Sequence, residues 1–376
     1  MRLIAVLMIV CLLVPMMLTG CGSQSSSSDA KTETKTETKT ETKTETKTET
    51  KAETKADNKV YTITYSTVNG TNSAMYNNVD SPLMRAIEEA SGGRIKFEEY
   101  LGGALLKSGE NLDGIKNGVV DMVFDAPAWY TGVFPGAILL EQPNMGTASG
   151  EALSWVFYDM IHELDLPEYK DIVVLAPMCS GPRALISNKA VHSLEDMNGL
   201  TVRTNSSMAA VMTALGATPV TMGSSEVYEA LQANLVNAGV FSYESMCNSK
   251  YYEVCDYIID LSMVQATVMI YMGREAFERL PEDLQKIITD VSYDFFVSTS
   301  SKFYGGYTET GMATAREANA DLEWIHLTDE EMARWNEKLE PLVQEYVQTL
   351  NGMGLNGEEL LQWVRERAAH YDEIYG

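Results

Sequence analysis

Positive charge is scarce in this chain: 28 lysines and arginines stand against 53 aspartates and glutamates, a formal net charge of −25 over 376 residues. The imbalance is uneven. Eight lysines fall between residues 30 and 59, where six glutamates and Asp57 nearly match them, so the rest of the chain is strongly acidic. Such a body repels phosphate backbones, and without a local basic patch nucleic-acid binding is excluded. Histidine is scarcer still. His162, His192, His326 and His370 lie far apart in unrelated contexts, so neither a zinc site nor a histidine-based triad is expected. Beyond residue 21 the cysteines are Cys179, Cys247 and Cys255, without C-x-x-C spacing. Their odd number allows one disulfide with a free thiol, or three free cysteines. G-x-G-x-x-G after a strand, the P-loop, H-E-x-x-H and G-x-S-x-G are all missing. Acidic neighbours such as Glu98-Glu99 and Glu330-Glu331 read as solvated faces. No catalytic residue, metal site or cofactor is expected.

What is present divides in two. Residues 3–18 form an almost continuous apolar run behind Met1-Arg2, and the run ends at Leu18-Thr19-Gly20-Cys21. That length is marginal for a bilayer span. The junction resembles the lipobox of bacterial lipoproteins. The resemblance implies a signal peptide over 1–20, a lipid on Cys21, and a chain anchored to the outer face of the bacterial cytoplasmic membrane. An ordinary signal peptide with an incidental cysteine, or an uncleaved anchor, is the alternative. A serine run follows, then Lys-Thr-Glu-Thr five times over residues 31–50. Nothing apolar recurs there, so residues 21–58 read as a solvated linker. Stretched out it reaches roughly 120 Å, and about 35 Å as a flexible coil.

From residue 60 the pattern is that of an α/β fold. Val60-Tyr-Thr-Ile-Thr-Tyr-Ser66 alternates as a strand does. Asp80-Ser81-Pro82 starts a helix that Gly92-Gly93 stops. Residues 94–100 and 119–124 read as strands flanking a helix over about 109–117. Ser193-Leu-Glu-Asp196 has the form of a capping box. Strands over 200–204, 218–221 and 235–241 alternate with helices from Ser206 or Ser207 to Leu215 and from Ser224 to Gln232. That spacing predicts parallel pairing with right-handed crossovers. Residues 281–320 read as one long helix, bent at Gly305-Gly306, and residues 329–350 as another.

With so few cations, individual arginines carry information. Arg203 falls near the C-terminal end of a predicted parallel strand, where ligand crevices open in α/β sheets. Arg183 follows the turn signal Gly181-Pro182. A guanidinium matches a carboxylate as a planar fork; pairing with one of the many acids of the chain itself is the competing use.

Three runs then resemble one family. They are Ser193-Leu-Glu-Asp-Met-Asn-Gly-Leu-Thr-Val-Arg203, Leu215-Gly-Ala-Thr-Pro219 and Ser225-Glu-Val-Tyr-Glu-Ala-Leu-Gln232. Together with Ala90-Ser-Gly-Gly-Arg-Ile95, Gly118-Val-Val-Asp121 and Phe277-Glu-Arg-Leu-Pro-Glu-Asp-Leu-Gln285, they resemble the DctP family over about residues 60–350. These are the extracytoplasmic solute-binding proteins of tripartite ATP-independent periplasmic (TRAP) transporters. The resemblance implies a two-lobed fold like the type II periplasmic binding proteins, with a long helix spanning both lobes. Lobe I would comprise 59–180 and about 269–308, and lobe II 181–268 and about 309–376. It implies capture of a small organic acid and its delivery to TRAP integral-membrane subunits, with Arg203 clamping the carboxylate and Arg183 assisting. Asn69, Trp129 and Tyr243 are further ligand-binding candidates, the aromatic ones serving equally well as packing. The chain departs from the family pattern at Ser224, where Phe is common, and at Phe241, where an amide is common. Those two positions are therefore expected to set selectivity. A receptor feeding a sensor or an ATP-driven importer is the alternative within binding proteins; a tethered hydrolase would need a convergent nucleophile.

Overall fold

A computed structural model describes residues 59–376, apart from Asn205, Gly223 and the side chains of Ser206, Ser207, Ser224 and Ser225. The junction at Cys21, the linker and the side chain expected at Ser224 therefore lie outside the described residues. Among the described residues, eleven strands form two mixed sheets. In chain order they are β1 (Tyr61–Ser66), β2 (Ile95–Tyr100), β3 (Met122–Asp125), β4 (Ile172–Cys179), β5 (Arg183–Ser187), β6 (Thr201–Thr204), β7 (Thr218–Thr221), β8 (Ala238–Ser242), β9 (Tyr257–Leu261), β10 (Thr267–Gly273) and β11 (Glu323–Ile325). The first sheet has the order β2-β1-β3-β10-β4, the second β11-β9-β5-β8-β6-β7.

Each sheet is apolar on both faces because helices cover both. On β10, Val268, Ile270 and Met272 enter one core with the helices Ser81–Ala90 and Glu282–Phe295, while Met269 and Tyr271 enter the opposite core with Gly150–Glu163. In the second sheet Leu185, Val202 and Val240 face one core, and Ala184, Ile186 and Phe241 the other. The expected β6–helix–β7–helix–β8 unit is present, with β6 parallel to both β7 and β8. The capping box at Ser193 is formed reciprocally with Asp196, and the helix Ser224–Gln232 ends where the sequence places it.

The chain passes between the sheets on two extended segments that run side by side. Ser180 N donates to Ala266 O at 2.8 Å, Ala266 N donates to Ser180 Oγ at 2.9 Å, and Arg183 N donates to Val264 O. A helix crosses as well, running unbroken over residues 282–318 with one π-turn at Phe296–Ser300. Helical structure continues through Gly305-Gly306. Gly305 admits the start of the helix Gly150–Glu163: a Cβ on Gly150 would fall 2.6 Å from Gly305 Cα.

Past this helix the lobe assignment differs from the one expected for residues 309–376. In the helix Asp329–Gly352, Trp335 and Leu339 join the second sheet's core, but Val343, Val347 and Leu350 join the first sheet's. The final helix, Gly357–Tyr375, buries Leu360, Leu361, Val364 and Ala368 in that same first core. Its apolar stripe is what brings the C-terminus back.

Candidate functional site

Parallel strands leave their C-terminal ends open to a crevice, and β1 and β3 do so at the junction of the two sheets. A cavity of about 330 Å³ lies there, with Val68 and Asn69 just past β1, and Phe124, Ala126 and Trp129 at the end of β3. The second sheet contributes Arg183, first residue of β5, and Glu244, in the first turn of the helix Tyr243–Asn248. Tyr304 comes from the crossing helix, and Glu141 and Thr267 complete the polar wall.

Asn69 is fixed rather than free. Its Nδ2 donates to Asp80 Oδ2 at 3.0 Å, and its backbone N–H donates to Thr67 Oγ1. Thr67 Oγ1 donates in turn to the same Asp80 oxygen. Burial pushes the Asp80 carboxyl up to about 6, although hydrogen bonds from these neighbours pull it down. Burial likewise raises Asp125 to about 6, against hydrogen bonds from the Tyr130 and Tyr271 hydroxyls at 2.5 and 2.9 Å. Glu168 rises to about 7 for the same reason. All three are acids held above their unfolded values of about 4, so the native state binds more protons than the unfolded chain in that window. Stability is therefore expected to fall as pH rises from about 4 to about 7. Thermal midpoints measured across that range should decline, and Asp80→Asn should flatten the decline; a midpoint that rises through the window rejects the assignment.

Arg183 is only 8% exposed, yet its Nε has no hydrogen-bond partner and no described carboxylate lies within ion-pair distance. Leaving a buried guanidinium unpaired is expensive. Glu141 faces the same cavity from the other lobe. Its Oε1 accepts from Thr267 N at 2.9 Å and Thr267 Oγ1 at 2.7 Å. Burial pushes its carboxyl up, opposed by the nearby positive charge of Arg183. Glu244 is raised by burial too, against a long hydrogen bond from Asn248.

Arg203 is placed differently. It lies opposite Gly239 in register, and its guanidinium sits 5.2 Å over the Phe241 ring. One nitrogen donates to Met222 O at 3.1 Å, while Nε is buried without a partner. Desolvation lowers its pKa, and the like charge of Arg183 lowers it further. Gly239 makes the stack possible, since a Cβ there would fall 2.4 Å from the Phe241 ring.

Of the expected ligand-binding residues, the cavity wall brings together Asn69, Trp129 and Arg183. Phe241 is not on that wall; it is buried beneath Arg203 and packs on Tyr251 with ring centroids 4.4 Å apart. Tyr243 is also off the wall, buried and stacked on Trp324, because it opens the helix Tyr243–Asn248 with its ring in the second lobe's core. Glu141, Glu244, Thr267 and Tyr304 went unread in the sequence. For Glu141 a signal existed: an acid ending the apolar run Ala137-Ile-Leu-Leu140.

Cys179, Cys247 and Cys255 are free, and burial raises all three thiols, Cys247 to about 11. A thiolate nucleophile has no support here. Among the described residues no group of three or more His, Cys, Asp and Glu gathers as a metal site would require.

The model of the bacterial extracellular solute-binding proteins, family 7 (DctP), matches residues 65–349. A solute-binding protein of Albidiferax ferrireducens is 25% identical, the match covering 54% of this chain and 62% of that protein, so under two thirds of that relative is spanned. The C4-dicarboxylate-binding periplasmic protein DctP of Rhodobacter capsulatus is 26% identical over 70% of this chain and 80% of its own length. Among solved structures, a TRAP solute-binding protein from Rhodoferax ferrireducens, in complex with copurified benzoate, superposes with a TM-score of 0.73. It is 26% identical, and 84% of this chain and all of that one are covered.

Proposed function

The chain belongs to family 7 of the bacterial extracellular solute-binding proteins, the DctP family, and from that premise we propose that it captures a small carboxylate outside the cytoplasm for a TRAP transporter. The family consists of binding receptors rather than enzymes, and its members act outside the cytoplasm. The observation that carries the reading is the pair Arg183 and Arg203. In a strongly acidic body, each guanidinium has a buried Nε lacking a partner, and neither forms an ion pair among the described residues. A carboxylate bound there would satisfy those donors. Arg183 would hold it from the cavity wall and Arg203, steadied on Phe241, from the second sheet. Asn69 and Trp129 would contact the rest of the ligand, and Ser224 would begin a helix at the same crevice. One relative is named for C4-dicarboxylates and another was solved with benzoate, which supports the class without choosing the compound.

The test is a thermal-shift screen against organic acids. A true ligand at 100 times its Kd adds about 2.7 kcal/mol to stability. If no carboxylate shifts the midpoint, the proposal fails.

We further propose that Cys21 is lipidated and that the Ser-rich, Lys-Thr-Glu-Thr linker holds the binding domain off the membrane, within reach of the integral-membrane subunits. Cys21→Ala is expected to move the protein from the membrane to the soluble fraction while its ligand affinity stays unchanged. A variant that remains as membrane-bound as the parent rejects the anchor.

A further inference from the structure

The cavity wall carries more than an anion site. Facing the unpaired Arg183 are two carboxyl groups, Glu141 from the first lobe and Glu244 from the second. Glu141 is 8% exposed, and its Oε1 is held by both donors of Thr267. Among the described residues neither glutamate forms an ion pair, and no lysine or second arginine lines the cavity. A simple monocarboxylate would occupy Arg183 and leave the buried Glu141 and the half-buried Glu244 without a cationic partner. A dicarboxylate would do worse, because its second charge would enter the same space as theirs. The wall is built for both signs of charge.

Resting on the reading that this cavity binds a carboxylate, we infer that its ligand is an amino-, imino- or ammonio-carboxylate: the carboxylate pairs with Arg183 and the positively charged nitrogen with Glu244 and Glu141. Each charge of such a zwitterion finds an opposite charge across a small cavity. The two glutamates contribute from different lobes, so the nitrogen ties the lobes together as the carboxylate does. Burial disfavours the charged form of both glutamates, and a cationic ligand group beside them reverses that preference. The apolar remainder of the wall, Met75, Phe124 and Val268, suits a short hydrocarbon frame between the charges.

The test is isothermal calorimetry on the full-length chain with pairs of compounds matched in shape and differing in the nitrogen. Suitable pairs are glycine betaine with 3,3-dimethylbutanoate, proline with cyclopentanecarboxylate, and 4-aminobutyrate with pentanoate, with succinate added as a dianion. At least one nitrogen-bearing member is expected to bind about tenfold or more tighter than its partner, a difference in free energy of about 1.4 kcal/mol. Glu244→Gln is expected to shrink that ratio about tenfold; Glu141→Gln serves as the second variant if the first does not fold. Equal or tighter binding of the nitrogen-free members or of succinate overturns the inference and leaves the carboxylate reading standing. If no member of the panel binds, the inference falls, and failure of the wider organic-acid screen then removes the carboxylate reading too.

Discussion

Arg183→Ala is expected to weaken ligand binding by roughly 10²–10³-fold, the loss that follows from removing one partner of a buried, hydrogen-bonded ion pair at about 3–5 kcal/mol. Arg183→Lys should also bind poorly, since an ammonium keeps the charge and loses the fork. The ligand-free protein should respond in the opposite sense. Arg183 is buried with its Nε unsatisfied and has no carboxylate within ion-pair distance among the described residues, so alanine removes an uncompensated charge. Its thermal midpoint should hold or rise. A purely structural arginine would lose stability and affinity together, which separates the two roles in one pair of measurements. Calorimetry with the carboxylate identified by the thermal screen, showing a loss under about threefold with the fold intact, would falsify the clamp. Arg203→Ala is expected to weaken binding as well. Phe241→Ala, by removing the ring beneath that guanidinium, should follow Arg203→Ala in direction with a smaller effect.

How far the sequence carried depended on whether the determining forces were local. The stretch over residues 193–232 was legible because caps, glycine stops and a proline mark each boundary within a few residues. The capping box of Ser193 and Asp196 and the strand Thr218–Thr221 stand as expected. Arg183 was legible as a rare cation after a Gly-Pro turn. Glu141 was not, because its significance arises only through Thr267, 126 residues away, and through facing Arg183 across the lobes. Phe241 shows the opposite failure. Its position in the strand order was right, but alternation and the absence of a Cβ at Gly239 lay the ring under Arg203 instead of on the cavity wall. The final helix, Gly357–Tyr375, went unread, and with it the return of the chain to the first lobe.

The second large effect is expected at Gly305, where substitution should act against its intrinsic preference. Glycine inside a helix is about 0.8–1.0 kcal/mol less favourable than alanine, so alanine ordinarily stabilises such a position. At Gly306 it should do so, because a Cβ there meets nothing within 4 Å. At Gly305 a Cβ would lie 2.9 Å from Glu151 N and 2.9 Å from Gly150 Cα. Both contacts are backbone, which no side-chain rotation can relieve. Gly181, on the first extended crossing, closes the same junction: its own Cβ would fall 2.1 Å from Thr308 Oγ1 and 2.9 Å from Gly305 O. Two helices and a crossing segment therefore meet through three glycines, next to the strand start that carries Arg183. Forcing them apart costs about 1–3 kcal/mol by over-packing, which outweighs the helix-propensity gain. Gly305→Ala should lower the urea midpoint while Gly306→Ala holds or raises it, although the two residues are adjacent in one helix. Equal shifts of the same sign would mean that helix propensity alone governs both positions. If the split appears, ligand affinity should fall with Gly305→Ala and stay level with Gly306→Ala, because only the first displaces the segment that sets Arg183 against Glu141.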